Sequence, residues 1–172
     1  HFNRYQQLQS QSQWQPVPYQ SLAKKKMVIL GSGSIGAHLA NVAKSFAIEP
    51  IGVNRSGIPA KHSPFDATYH IQEIATVLKQ ADIVVNTLPN TPETENILNA
   101  DSLGHCSGAL LFNVGGGSAI EEDGLLKALE NKSITHAYLD VFKQEPLEKN
   151  HPFWQHNAIT ITPHIAALSF PE

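Results

Sequence analysis

The chain has 172 residues with 12 Lys+Arg against 15 Asp+Glu, a formal charge of −3, 41% hydrophobic and 16% charged residues, the profile of one soluble globular domain. The slightly acidic balance, with Lys24-Lys25-Lys26 as its one basic run, gives no electrostatic footprint for nucleic acid, and no apolar run approaches the roughly 20 residues of a membrane span. A single cysteine, Cys106, excludes an intrachain disulfide and suits a reducing, cytoplasmic setting.

Residues 1–21 differ in composition from all that follows. Gln6, Gln7, Gln9, Gln11, Gln13, Gln15 and Gln20, closed by Pro16 and Pro18, read as a connecting arm. Leu8, Trp14, Val17 and Tyr19 give it something to dock with, so a polar helix or an extended segment lying on a neighbour is expected. From Met27 on, short apolar runs alternate with helical patterns, which predicts a parallel sheet covered on both faces. The predicted strands are Met27 to Leu30, Ile51 to Val53, Thr68 to Ile71, Ile83 to Leu88, Ala109 to Val114, His136 to Val141 and Ile159 to Thr162. A helix directly after the first strand is expected to bury Ile35, Leu39, Val42, Ala43 and Phe46. Thr91-Pro92-Glu93 reads as an N-cap followed by proline at the first helical position. Ser118-Ala119-Ile120-Glu121 reads as a capping box, with Glu122 and Asp123 at the positive end of a helix whose inner stripe is Leu125, Leu126 and Leu129.

The string Gly31-Ser32-Gly33-Ser34-Ile35-Gly36 lies between a strand and a helix, the context in which three spaced glycines bind a dinucleotide. Gly31 allows a tight turn, Gly33 lets the backbone approach a pyrophosphate and Gly36 lets helix and strand pack closely. The first N–H groups of the helix, from Ser34 and Ile35 onward, face the phosphates. An α/β, doubly wound parallel sheet of the Rossmann type over residues 22–172 is therefore expected. The second strand ends Asn54-Arg55-Ser56, where an NAD site carries a carboxylate for the ribose 2′-hydroxyl. Asn54 fills the acidic slot without charge, while Arg55 and Ser56 offer a cation and a hydroxyl to a 2′-phosphate. NADP(H) is favoured, with NAD(H) as the alternative.

Ligands in such sheets bind beyond the carboxyl ends of the strands. Asn113 to Gly117, Asp140 and Pro163-His164 all fall there, with Glu145 five residues past Asp140 and able to swing back toward His164. A histidine beside a carboxylate is a proton donor held charged near neutral pH, as carbonyl reduction requires. No metal site is expected, because His136, His151, His156 and His164 lack a tight ligand spacing and Cys106 has no cysteine partner. A serine hydrolase is excluded by the absence of a G-x-S-x-G turn.

Taken together, Gly31 to Gly36, Leu88-Pro89-Asn90-Thr91-Pro92-Glu93-Thr94, Leu139 to Leu147 and Thr162 to Ala167 resemble the cofactor domain of the D-isomer-specific 2-hydroxyacid dehydrogenases, nearest the glyoxylate/hydroxypyruvate reductase branch. The resemblance implies that His164 is the general acid/base and Glu145 its partner. It places Asp140 near the nicotinamide end, with Leu88, Pro89, Thr94, Val114, Gly115 and His164 as further cofactor contacts. It implies a small 2-oxo or 2-hydroxy acid as substrate and a homodimer as the assembly. It also implies a separate substrate domain that this chain lacks, so the chain reads as a fragment, with Pro171-Glu172 at the start of a returning helix. One departure stands out. The family's Asn-x-x-Arg-Gly stretch clamps the substrate carboxylate with its arginine, and the aligned residue is Gly116. Loss of such a stabiliser typically costs about 10²–10³ in rate, which keeps a catalytically impaired NADP(H)-binding sensor as the alternative function.

Overall fold

The structure is a computed structural model that describes residues 2–167. Pro171-Glu172 and the end of the domain expected at residue 172 lie outside the described residues. Seven parallel strands form one sheet: β1 (Lys26–Leu30), β2 (Glu49–Asn54), β3 (Ala67–His70), β4 (Ile83–Asn86), β5 (Ala109–Asn113), β6 (Ile134–Leu139) and β7 (Ile159–Ile161). Their order, β3-β2-β1-β4-β5-β6-β7, reverses direction between β1 and β4, and a crevice opens at such a switch point.

The apolar runs are nearly continuous because both faces are covered. In β1, Val28 and Leu30 enter one core and Met27 and Ile29 the other, as the two-residue period of a strand requires. The larger core is closed by α3 (Ile74–Leu78), α4 (Ala100–Gly104) and α5 (Glu122–Glu130), which bury Val77, Leu103, Leu125 and Leu129. The smaller core is closed by α2 (Ser34–Ser45), through Ala40 and Ala43. Farther along that face Phe112 stacks on Tyr138 with ring centroids 4.6 Å apart.

Several local expectations are corrected. Of the stripe expected of helix α2, Ala43 is buried and Leu39 packs on the core, but Ile35 and, just past the helix, Phe46 are more than half exposed, Val42 is also exposed, and Gly36 and Ala40 join Ala43 against the sheet. The cause is close approach, since a Cβ on Gly36 would lie 2.0 Å from the Gly31 carbonyl oxygen, so only small residues fit. Thr91 caps no helix. Residues 92–96 are turns, and Thr94 Oγ1 donates to Pro89 O at 2.6 Å and accepts from Thr91 N–H at 3.1 Å. The next helix, α4, starts later under Asn99, whose Oδ1 accepts from the N–H groups of Asp101 and Ser102. Ser118 lies in a 3₁₀ turn (Gly117–Ala119) rather than at an N-cap, and α5 begins after Glu121 without a side-chain cap. Strands β4, β5 and β7 end before Leu88, Val114 and Thr162, and β6 starts and ends two residues earlier than expected. The residues trimmed from these ends are the loops that build the site.

The arm holds a helix, α1 (Phe2–Ser10), with Leu8 buried. Tyr5 Oη donates to Val17 O at 3.2 Å and accepts from Val17 N–H at 3.1 Å, folding the following stretch back on the helix. Arg4 and Gln7 line a pocket with His136, His156 and Thr160, which places α1 beside β6 and β7.

Candidate active site

The glycine turn shows a separate reason for each glycine. Gly31 has φ +99°, and a Cβ there would meet Thr87 Oγ1 at 2.7 Å. That hydroxyl donates to Leu30 O and Gly31 O at 2.9 and 3.0 Å, tying the turn to the exit of β4. Gly33 has no atom within 4 Å of its Cβ position, so the backbone there is open to a ligand. No side chain caps the first turn of α2, which leaves N–H groups at its positive end for an anion.

At the end of β2, Asn54 is wholly engaged within the chain. Its Oδ1 accepts from Ser56 N–H at 3.0 Å and Gly57 N–H at 2.7 Å, and its Nδ2 donates to Ser32 Oγ at 2.9 Å and Ile58 O at 3.0 Å. The amide therefore has no acceptor to spare for a ribose and instead fixes the loop that carries Arg55 and Ser56. Arg55 is exposed and lines a cleft of about 370 Å³ with Ile71, Leu88, Pro89, Thr94 and Ile97. Across it, Glu93 is held below the usual carboxylate range by its own backbone N–H and the Thr91 hydroxyl, with Arg55 adding to the effect.

Adjacent strand ends are locked by two buried asparagines in register, Asn86 on β4 and Asn113 on β5. Asn86 Nδ2 donates to Asn113 Oδ1 at 2.8 Å, Asn113 Nδ2 donates to Gly116 O at 3.2 Å, and Leu88 N–H donates back to Asn86 Oδ1 at 3.2 Å. Gly116 N–H is held by Leu88 O at 2.6 Å. The loop at Leu88 and the loop at Val114 and Gly115 both hang from this pair. Gly116 has ordinary extended backbone (φ −84°, ψ 129°), but a Cβ on it would lie 2.4 Å from Asn90 Oδ1, so an arginine there must displace Asn90.

The acid pair forms beyond β6 and β7. His164 Nδ1 lies 2.6 Å from Glu145 Oε2, and Glu145 Oε1 accepts from Phe142 N–H at 2.9 Å. The imidazole hydrogen bond holds Glu145 ionised below the usual range, and the same bond and charge raise His164 above its ordinary value. His164 sits in the left-handed region at φ +54°, where a non-glycine residue persists only if its surroundings dictate it. They do so through Asp140, whose O accepts from His164 N–H at 2.8 Å and whose carboxylate accepts from the Thr162 hydroxyl and the N–H groups of Ile165 and Ala166. Burial raises the Asp140 pKa, but these bonds outweigh it and leave the group ionised. His164, Glu145, Phe142, Leu147 and Trp154 line a cavity of about 410 Å³.

A glycine turn and a histidine–carboxylate pair at the same end of one doubly wound sheet narrow the choice of family. Over residues 1–166 the sequence matches the D-isomer specific 2-hydroxyacid dehydrogenase, NAD binding domain. The chain belongs to that family. It is 38% identical over 172 residues to glyoxylate/hydroxypyruvate reductase A of Serratia proteamaculans, covering 99% of this chain and 54% of the relative. Among solved structures it resembles a D-isomer specific 2-hydroxyacid dehydrogenase family protein from Aeromonas salmonicida, with 43% identity, TM-score 0.88 and coverage of 94% and 52%. It also resembles an NADPH-dependent glyoxylate/hydroxypyruvate reductase from Sinorhizobium meliloti in complex with NADP and sulfate, with 28% identity, TM-score 0.87 and coverage of 98% and 54%. The chain thus spans about half the length of the curated relatives it matches.

Within this dehydrogenase domain the structure brings Glu145 and Asp140 onto His164 and groups Arg55 with Leu88, Pro89 and Thr94, while Gly31, Gly33 and Gly36 open α2 at the exit of β1, four places from β7 in the strand order. Sequence reading missed the Asn86–Asn113 lock and the contact of Asn90 with Ser118. The signal for the first was an asparagine at the same register position of adjacent strands, and the second, between two loops, had none. Cys106 is buried and unpaired, and burial pushes its thiol up to about 11, so it packs rather than reacts. Among the described residues no helix is long and apolar enough to cross a membrane.

Proposed function

We propose that this chain is the NADP(H)-binding, proton-donating half of a reductase that converts a short 2-oxo acid of the glyoxylate or hydroxypyruvate type to a D-2-hydroxy acid. The observation that carries the reading is the His164–Glu145 pair at 2.6 Å, at the end of the sheet that also holds the glycine turn. The open backbone at Gly33, the uncapped first turn of α2 and the cation at Arg55 suit a dinucleotide with a 2′-phosphate. NADPH, when bound, supplies a hydride to the carbonyl carbon. Glu145 keeps the imidazole charged and oriented through Nδ1, and Nε2 then delivers the proton to the carbonyl oxygen. Asp140 fixes the backbone of the segment bearing His164. A cytoplasmic setting and a homodimer belong to the same reading, and light scattering of the intact protein tests the dimer.

The test is carbonyl-dependent NADPH oxidation by the intact protein. His164→Gln should lower kcat by about 10² or more with NADPH affinity unchanged. An unchanged kcat would remove His164 from its role. Gly116 favours one second reading, an NADP(H) sensor without turnover. NADPH binding with no oxidation of NADPH by any 2-oxo acid would establish it.

A further inference from the structure

Resting on the proposed function, we propose that the side-chain amide of Asn90 is the donor with which this chain meets the acid group of its substrate, a neutral group standing where a cation would be expected. A 2-oxo or 2-hydroxy acid carries a carboxylate, which leaves water only for cations or convergent N–H donors. Three cations near this end of the sheet already have a role. Lys143 Nζ is paired with Glu95 at 3.0 Å and His164 with Glu145 at 2.6 Å, while Arg55, across the cleft from Pro89, is the cation assigned above to the 2′-phosphate of the cofactor. Asn90 is different. Its Oδ1 accepts from both Ser118 N–H at 3.1 Å and Ser118 Oγ at 2.8 Å, while its Nδ2 has no partner among the described residues and the side chain is exposed. Two donors on one oxygen settle which way the amide faces, so the NH₂ is the end left outward.

Its place in the fold fits the role. Asn90 fills the volume into which a side chain at residue 116 would project. The next residue, Gly117, presses on Phe142, a Cβ there falling 2.0 Å from Phe142 O. Phe142 N–H is held by Glu145, which holds His164. The amide and the acid pair therefore flank the Gly116–Gly117 segment, and Ser118 is the positioning residue for the amide.

The probe is oxamate, a non-reducible 2-oxo acid analogue, titrated into the NADPH-bound chain and followed by heteronuclear NMR. The NH₂ resonances of Asn90 are identified by their absence from Asn90→Asp. Oxamate should shift those resonances in the unaltered chain. Asn90→Asp, which replaces a donor by a repelling carboxylate, should weaken oxamate by about tenfold or more with NADPH affinity within about twofold. Ser118→Ala should weaken oxamate less. Unmoved Asn90 resonances, or equal oxamate binding by Asn90→Asp, would overturn the assignment. Loss of NADPH binding by the unaltered chain, measured in the same samples, would instead remove the proposed function and this inference with it.

Discussion

The carboxylate of Glu145 does two things to His164: it orients the ring through Nδ1 and it raises the pH at which the ring loses its proton. Because the folded pKa is raised, the ion pair is fully present below the ordinary histidine value of about 6.5 and is lost as pH rises through the higher folded value. The proposed reduction needs the imidazolium, so its rate should fall over that same upper window. Glu145→Gln should move the alkaline limb of the kcat profile to lower pH, and an unmoved limb would show that another group sets it. The two asparagines at the strand ends make a separate prediction. Asn86→Leu leaves the Leu88 N–H and the Asn113 amide short of a partner in a buried setting, which should cost about 1–3 kcal/mol in urea unfolding. His164 and Glu145 were legible because their residue types are spaced around a strand end in a recognisable string. Asn113 was legible as a strand end, but Asn86 and its bond to Asn113 were not, because the apolar pattern runs past the true end of β4 and hides Asn86 as one more strand residue.

Among the elements, the turn from β1 into α2 separates packing from binding. Gly36→Ala puts a Cβ 2.0 Å from backbone and should destabilise by about 1–3 kcal/mol or more, lowering Tm. Gly33→Ala meets no atom within 4 Å, so Tm should barely change while NADPH affinity drops, because the space filled is the ligand's. Equal loss of Tm in both would mean that Gly33 serves packing alone. The existence and order of these elements followed from periodicity, but the inner face of α2 did not. A stripe of Ile35, Leu39, Val42, Ala43 and Phe46 looks like a core face until the closeness of helix and sheet is known; Leu39 and Ala43 do face inward, but closeness replaces Ile35, Val42 and Phe46 by Gly36 and Ala40. The turns at 92–96 were misread as a helix start for a related reason: Thr-Pro-Glu suits both, and Thr94 decides by bonding back to Pro89 O.

For the whole molecule, strand order puts residues as far apart in sequence as Gly31 and His164 at the same end of one sheet. Parallel strands all deliver their carboxyl ends to one edge, and the reversal between β1 and β4 opens the crevice there. The alternation of runs and helices made that architecture readable, whereas the loops that converge on it depend on long-range hydrogen bonds with no local signature. With the chain spanning about half the length of its curated relatives, cofactor binding is the property most directly its own. The decisive measurement is a fluorescence titration of NADPH and NADH into this chain and into Arg55→Ala. NADPH should bind about tenfold or more tighter than NADH, and Arg55→Ala should erase that difference while leaving NADH nearly unchanged. Equal affinities in the unaltered chain, or an equal loss for both cofactors in Arg55→Ala, would contradict the account.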